Sequence, residues 1–486
     1  MTSAAEQYRT LVQTKGKVAP ATLSNLFDQL PPLKPEQLLG SWNGGFFDTG
    51  HSVGPTLQRI GWIGKDFNTL DDVDPVIVLR EGRRASWGQW GHATVREMVF
   101  RGVLSTVMIY DDRPIFDHFR YNIENMSSSG HGQHVLLTGA NGFVASHILS
   151  ILLDRGYTVT ATVRSQAKAD EVVKAHPDWK GKIEFAIVSD FTSQKPFNTL
   201  FEENKIAFDY VIHTASPLKF DIKDIQKEMI EPAVKGTTQI LESAHQHGGS
   251  ALKRFILLGS AVSVLDSFED MSREGRPYTE KSWNPVTAQQ AIERNDTVLG
   301  YNVSKTQAER KAWEFMQANN PNFDLTVINP DIITGPMIHP ITGKGSINET
   351  NHFAIASFID GTNSKVEDVR FPFYHFVDVR DVARSHVDAL SNPAAGGQRI
   401  LLISGLITPQ LVVNIIRKHF SELREKVPVG IPDRVLPEGV HPTGWDMRVS
   451  LDVLSKGKGS QWQYIGLEES VKDAVQSMLQ HNVLPV

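Results

Sequence analysis

The stretch TGANGFVASH, Thr138 to His147, constrains the fold of this 486-residue sequence more than any other. It sets Gly139, Gly142 and Ala145 in the order GxxGxxA. Directly before it runs the apolar segment HVLLT, and directly after it Val144, Ile148, Ile151 and Leu152 fall on one helical face, with Gly156 placed to stop the helix. The first glycine permits a tight turn. The second lets a pyrophosphate approach the backbone at a helix N-terminus, where amides and dipole favour negative charge, and Ala145 is small enough for close helix–strand packing. A glycine pattern alone also describes ordinary βα turns; the flanking strand and helix supply the context that dinucleotide binding requires.

Further strand-like runs, 158–164, 183–190, 210–216, 254–260 and 325–330, alternate with helical stretches. This alternation predicts an α/β domain: a Rossmann-type, doubly wound parallel sheet with a C-terminal substrate lobe. The region before it has a different texture, rich in Gly, Trp and Asp-containing turns. Leu23, Leu26, Phe27 and Leu30 mark one face of a helix that Pro31 and Pro32 end. Val95 to Tyr110 reads as two strands joined at Arg101-Gly102. We expect a small β-rich domain over 1–128, a polar linker over 129–133, and the α/β domain over 134–486.

Charge and composition narrow the function. A formal net charge of −6 offers no basic patch for nucleic acid and no polybasic tail for a membrane. Cysteine is absent, which excludes disulfides, thiolate nucleophiles and Cys-ligated zinc; no metal is expected. The opening residues carry no apolar run of the secretory kind, and no stretch approaches the ~18 apolar residues needed to cross a bilayer. The expectation is a cytoplasmic protein acting on a small molecule.

The strand after the glycine turn selects the cofactor. NAD enzymes usually end this strand in a carboxylate that binds the ribose 2′-hydroxyl. Here it ends Val163-Arg164-Ser165, with Lys168 one helical turn on. A guanidinium pairs with a 2′-phosphate through two hydrogen bonds, whereas a carboxylate would repel it. NADPH is the cofactor this predicts, although a lone arginine is often no more than a solvated surface residue. Asp190, ending the next strand, suits the adenine amino group, or equally a turn.

Carbonyl chemistry is suggested by YNVSK, which sets Tyr301 and Lys305 four apart on one helical face, and by Ser260 at an upstream strand end. Reducing a carbonyl requires a proton donor at its oxygen as hydride reaches the carbon. An ordinary tyrosine, with a pKa of about 10, is a poor donor at neutral pH, and a nearby lysine cation lowers that value. Bringing it to neutrality takes about 4 kcal/mol of differential interaction. Tyr301 is therefore expected to be the general acid, Lys305 its electrostatic tuner and ribose ligand, and Ser260 a hydrogen-bond donor to the carbonyl oxygen. YxxxK alone is common on surface helices; its weight comes from following the glycine turn and Ser260 in one sheet.

These motifs, with VIHTASP, KSWNPVT, GYNVSKTQAER, INPDIITGP, FVDVRDVARSH and LEESVKDAV, give residues 134–486 a resemblance to the extended short-chain dehydrogenase/reductases. The resemblance is strongest to the branch holding dihydroflavonol 4-reductase, cinnamoyl-CoA reductase and the yeast NADPH-dependent methylglyoxal and aldehyde reductases. It implies that Gly139, Asn141, Gly142, Phe143 and Val144 wrap the pyrophosphate and that Arg164 and Lys168 hold the 2′-phosphate. It further implies that Asp190 and Phe191 flank the adenine, that Thr214, Ala215 and Ser216 line the cofactor groove, and that Pro330 and Ile333 sit near the nicotinamide. Two departures touch pocket shape: Leu258-Gly259-Ser260 stands where TSS is usual, and Ile333 to Pro336, ITGP, where VFGP is usual. The substrate pocket is expected to draw on 265–300 and 337–375.

The first region, with LLGSWNGG, GWIGKDF and MIYDDRPIFDHFR, resembles the GXWXG domain followed by the DUF4334 domain. His51, Lys65, Asp117 and His118 are its candidates for acid–base work, though most such residues in a small β domain are structural. Asp117 and His118, as strand neighbours, should point to opposite faces. The whole reads as an NADPH-dependent reductase of a ketone or aldehyde on a small, secondary-metabolite type of substrate. The front domain would isomerise, cyclise or bind the same substrate, or serve as an interaction module. A non-catalytic NADP(H)-binding regulator would not need Ser260, Tyr301 and Lys305 together, and an NAD-recycling epimerase or dehydratase commonly wants the acidic strand end that Arg164 replaces.

Overall fold

The structure is a computed structural model. It describes residues 7–8, 11–12, 16–51, 53–80, 83–120, 132–193, 195–202, 207–216, 220–371, 374–456 and 461–484. The chain divides into two compact units, Met1–His131 and Gly132–Val486. Most of the expected linker, 129–131, lies outside the described residues.

In the first unit, helix α1 (Pro20–Gln29) begins on a proline, tolerated where no amide partner is needed, and buries Leu26. The chain turns extended at Leu30, ahead of Pro31. Seven antiparallel strands follow: β1 (Gly40–Asn43), β2 (Trp62–Phe67), β3 (Val73–Arg80), β4 (Arg83–Ser86), β5 (Ala93–Phe100), β6 (Val103–Tyr110) and β7 (Phe116–His118). Their order is β1-β2-β3-β5-β6-β7, with β4 paired to β3. The hairpin β5–β6 closes Phe100 on Val103. Its two turn residues, Arg101 and Gly102, both have positive φ, 52° and 77°, the backbone a two-residue hairpin turn demands. Phe67, Val73, Val95, Met108 and Tyr110 form the core, with Trp42 packed against it.

The second unit is the parallel α/β fold. Strands β8 (His134–Thr138), β9 (Thr158–Val163), β10 (Ile183–Ile187), β11 (Tyr210–His213), β12 (Arg254–Leu258), β13 (Asp324–Pro330) and β16 (Arg399–Leu402) form one sheet in the order β10-β9-β8-β11-β12-β13-β16. Every pairing in it is parallel. The chain winds outward from β8 in one direction and from β11 in the other, so the crevice for a ligand opens at the carboxyl ends of β8 and β11. Helices α2 (Phe143–Asp154), α3 (Gln166–Ala175), α4 (Glu231–His247) and α5 (Thr297–Asn319) belong to these crossovers. The ladder ends short of the sequence runs, at Val163, Ile187, His213 and Leu258; Arg164, Asp190, Ser216 and Ser260 have already left it, at the carboxyl edge.

A C-terminal lobe carries a small sheet of β14 (Ile332–Thr334), β15 (His375–Asp378) and β17 (Gly405–Leu406). Its core includes Phe358, Phe376, Ile407, Val412 and Met478. A buried ion pair, Arg399 Nε donating to Glu309 Oε1 at 2.5 Å, ties α5 to β16.

Candidate active site

Gly139 leaves β8 with φ at 76°, a conformation L side chains rarely adopt, and a Cβ there would press on Ala215 at 3.3 Å. Its amide donates to Thr162 O at 3.1 Å, and Gly142 N donates back to Gly139 O at 2.9 Å, closing the turn. Gly142 is the extended N-cap of α2. The first amides of that helix have no intrahelical acceptor and form the anion-binding end. The opposite wall is fixed by Thr138, whose Oγ1 accepts from the amides of Thr214 and Ala215, each at 3.1 Å. With its lone pairs taken, Thr138 donates to His213 Nδ1 at 2.8 Å. Burial holds the His213 ring neutral, its pKa pushed down to about 3.

A groove of about 380 Å³ runs along this edge. Gly139, Asn141 and Gly142 line it, with Arg164, Lys168, Phe191, Thr214, Ala215 and Ser216. Arg164 is exposed and its guanidinium lies 5.9 Å from the centroid of the Phe191 ring. Lys168 pairs with Glu171 at 2.8 Å. Phe143 and Val144 offer first-turn amides of α2 to that anion-binding end, while their side chains, like those of the remaining residues expected at the cofactor, pack outside the groove lining. Phe143 packs edge-on against His147 and His339. Val144 enters the core between sheet and helix. Asp190 does not line the groove: its Oδ1 accepts from the amide and hydroxyl of Thr192, bonds that hold its carboxyl below the ordinary range. Pro330 ends β13 in the buried interior and Ile333 packs against the sheet core. The glycine cradle, the helix end and the unblocked guanidinium fit a dinucleotide bearing a 2′-phosphate.

Ser260, Tyr301 and Lys305 are brought together. Gly259 has no side chain, and a Cβ there would overlap Asn329 Oδ1. That oxygen accepts from Ser260 N at 2.8 Å and so sets the serine's position. The LGS departure is thus a matched pair with Asn329, a partner that sequence reading missed. Ser260 is close enough to the Tyr301 phenol to favour its ionised form, and Lys305 Nζ lies 5.8 Å from the centre of the tyrosine ring.

The electrostatics depart from the sequence expectation. The Tyr301 pKa is raised, not lowered: burial pushes it up, the nearby Ser260 hydroxyl pulls it down, and Asp331 pushes it up again. Lys305 is itself lowered to about 8 by burial. Loss of solvent is the largest influence on both groups.

A second cavity, of about 240 Å³, is lined by Asn302, the residue after Tyr301, and by Asp331, whose charge acts on Tyr301; Tyr301 itself does not line it. It draws on the stretches Leu265–Met271 and Asp296–Asn302 and on Tyr374 and His375, within or next to the expected segments. It also takes in Asp331 and the segment Pro442–Trp445, which no periodicity or motif signals. Trp445 Nε1 donates to His375 Nδ1 at 3.2 Å, and burial lowers the His375 pKa to about 4.

In the first unit, Asp117 and His118 do point apart. Asp117 Oδ2 accepts from Lys65 Nζ at 2.9 Å and from Tyr110 at 3.3 Å, while His118 stacks on Phe100 with ring centroids 3.9 Å apart. His51 is exposed and its Nδ1 accepts from Val53 N. Among the described residues, no cluster suited to a metal is present and no helix is long and apolar enough to cross a membrane.

The chain belongs to the NAD dependent epimerase/dehydratase family, whose model matches residues 135–404. The GXWXG protein model matches 25–82, and that of DUF4334, a domain of unknown function, matches 91–127. The NADPH-dependent methylglyoxal reductase GRE2 of Saccharomyces cerevisiae is 30% identical over 347 residues, 71% of this chain and 98% of that protein. The ketoreductase azaE of Aspergillus niger is 33% identical over 348 residues, 71% of this chain and 97% of that one. The structure of yeast methylglyoxal/isovaleraldehyde reductase Gre2 complexed with NADPH superposes with a TM-score of 0.64 at 28% identity, covering 72% of this chain and 99% of that one.

Proposed function

We propose that Tyr301 donates the proton, Ser260 orients the carbonyl oxygen, and Lys305 binds the cofactor ribose and holds positive charge near the phenol, in the reduction of an aldehyde or ketone to an alcohol. The chain is an NADPH-dependent oxidoreductase. NADPH, when bound, supplies the hydride that reaches the carbonyl carbon. Ser260 and Tyr301 then share the developing oxyanion as hydrogen-bond donors, and the phenol proton passes to that oxygen. A phenol kept protonated by burial is in the state that the reductive direction requires. Arg164 holds the 2′-phosphate and the Gly139–Val144 turn holds the pyrophosphate.

The observation that carries this reading is the convergence of Ser260, Tyr301 and Lys305 at the edge where the glycine turn and an exposed Arg164 line one groove. Incubating the purified chain with methylglyoxal, simple aldehydes and simple ketones tests it. NADPH should be consumed and NADH spared; equal use of both, or NADPH binding without turnover over the panel, overturns it.

The first unit is read as serving the same small, secondary-metabolite type of substrate, by isomerisation, cyclisation or binding. Its fusion to a reductase unit supports this, and the full engagement of Lys65 favours binding over chemistry. If a chain lacking 1–128 gives the same product, stereochemistry and KM, that reading fails.

A further inference from the structure

The second cavity is lined by three side chains with a buried, unpartnered polar atom. Asp331 is 7% exposed, Thr443 5% and Asn302 2%. Among the described residues, Asp331 Oδ2, Thr443 Oγ1 and Asn302 Oδ1 meet no hydrogen-bond partner. All three residues line the same cavity. A buried polar group without a partner costs about 1–3 kcal/mol, so three around one space call for a ligand that completes them.

The other polar groups of the wall are engaged. Asp266 Oδ1 accepts from Phe268 N, and Asp296 Oδ1 caps α5 by accepting from Val298 and Leu299. Glu269 accepts from Thr443 N and from the Tyr278 hydroxyl. Asn302 Nδ2 donates to Ser267 Oγ at 2.9 Å, which leaves its carbonyl oxygen as the free atom. Among the described residues no lysine or arginine lines the cavity, and burial keeps His375 neutral. Among those residues the wall therefore presents four carboxyl groups and no cation. An anionic substrate would find there no cation to offset the cost of burying its charge.

What the open atoms accept defines the ligand. An amide oxygen only accepts, a carboxyl group accepts at either oxygen when ionised and at its carbonyl oxygen when protonated, and a hydroxyl does both. Hydroxyl groups on the substrate satisfy all three. Asp331 is also near enough to Tyr301 for its charge to act on the phenol, which puts the reading of hydroxyls close to the reacting carbonyl.

We propose that Asn302, Asp331 and Thr443 form a hydroxyl-reading subsite, selecting a neutral carbonyl compound with a hydroxyl next to the reacting carbonyl and rejecting carboxylates. This rests on the reductase reading above. Asp331 is a positioning residue: it orients the substrate and takes no part in hydride or proton transfer.

Three matched probes test it on the full chain: acetophenone, 2-hydroxyacetophenone and phenylglyoxylate, each with NADPH, against wild type, Asp331→Asn and Asp331→Leu. Wild type should favour the hydroxyketone over acetophenone by about tenfold in kcat/KM, mostly through KM, and should bind phenylglyoxylate least. Asp331→Leu should bring the hydroxyketone preference, read as the ratio to acetophenone within the same variant, close to one. Asp331→Asn should keep part of the preference. If Asp331→Leu misfolds, the asparagine variant carries the test. Calorimetric binding of the same probes to the NADP⁺ complex reads the preference without turnover, so a failure of the reductase assignment stays distinguishable from a failure of this one. A wild-type ratio of one, or a ratio unmoved in both variants, overturns the subsite.

Discussion

Two polar clusters, each containing an aspartate, sit in the two units and differ in how far their polar atoms are satisfied. In the first unit Lys65 uses all three of its donors, on Pro75 O, the Tyr110 hydroxyl and Asp117 Oδ2, at 3.2, 3.1 and 2.9 Å. Tyr110 in turn donates to Asp117, and burial with that carboxylate pushes its phenol further up. In the second unit Asn302, Asp331 and Thr443 each keep a buried atom unpartnered, and all three residues line one cavity. A closed cluster holds strands together and has no proton to spare; an open one is completed by a ligand. The contrast separates polar residues into stabilisers and binders, and each assignment can be broken by experiment.

The largest effect should come from Tyr301→Phe, which removes the donor and keeps the ring. We expect kcat to fall by about 10³-fold while NADPH titration gives an unchanged Kd; a rate within threefold (roughly 0.65 kcal/mol) would remove Tyr301 from the chemistry. Lys65→Met should act on stability alone. Breaking a half-buried ion pair and stranding Asp117 costs about 2 kcal/mol, read as a lower denaturant midpoint for the first unit, with reduction kinetics unchanged. Lost activity in a folded Lys65→Met protein would mean that the closed cluster does chemistry after all. Arg164→Glu should raise KM for NADPH by about 10²-fold and leave KM for NADH within a few-fold. Equal losses would place the 2′-phosphate away from Arg164.

How far the sequence carries this contrast depends on whether a residue's role is local. The glycine turn, the five β–α runs from His134 to Pro330 and the Arg101-Gly102 hairpin are set by neighbours in the chain, and the structure agrees with each. Tyr301 and Lys305 share a helical face by spacing alone. The strand Arg399–Leu402 is not legible in sequence because three apolar residues after an arginine carry no period to separate strand from helix. Lys65 and Asp117 were singled out separately, but 52 positions of chain part them, and only the β2–β3–β5–β6–β7 path brings them together. Asp331 looks in sequence like a turn residue beside Pro330. Its isolation becomes visible only when β14 and β15, with the loop holding Thr443, are placed around it. Asp190 shows the reverse dependence: its position at a strand end suggests the adenine, and the structure adds a local bond from Thr192 to its Oδ1 that the sequence does not signal.

The pH dependence of stability bears most directly on whether Asp331 is open. In the folded protein burial pushes its carboxyl up to about 8, whereas in the unfolded chain it ionises at about 4. Between those values the unfolded chain releases a proton that the folded chain keeps. The carboxyl's contribution to stability is therefore complete below about pH 4, is lost as pH rises toward about 8, and is constant above. Asp331→Asn cannot ionise and escapes this loss, so the Tm of the variant minus that of wild type should grow across that window and level off. Each kcal/mol regained is worth on the order of 2–4 °C, and the other titrating groups cancel in the difference. Saturating 2-hydroxyacetophenone with NADP⁺ should shrink the gap by giving the wild-type carboxyl its partner. A difference flat across the window would mean that Asp331 is already paired in the free protein, and the distinction between the two clusters would fall with it.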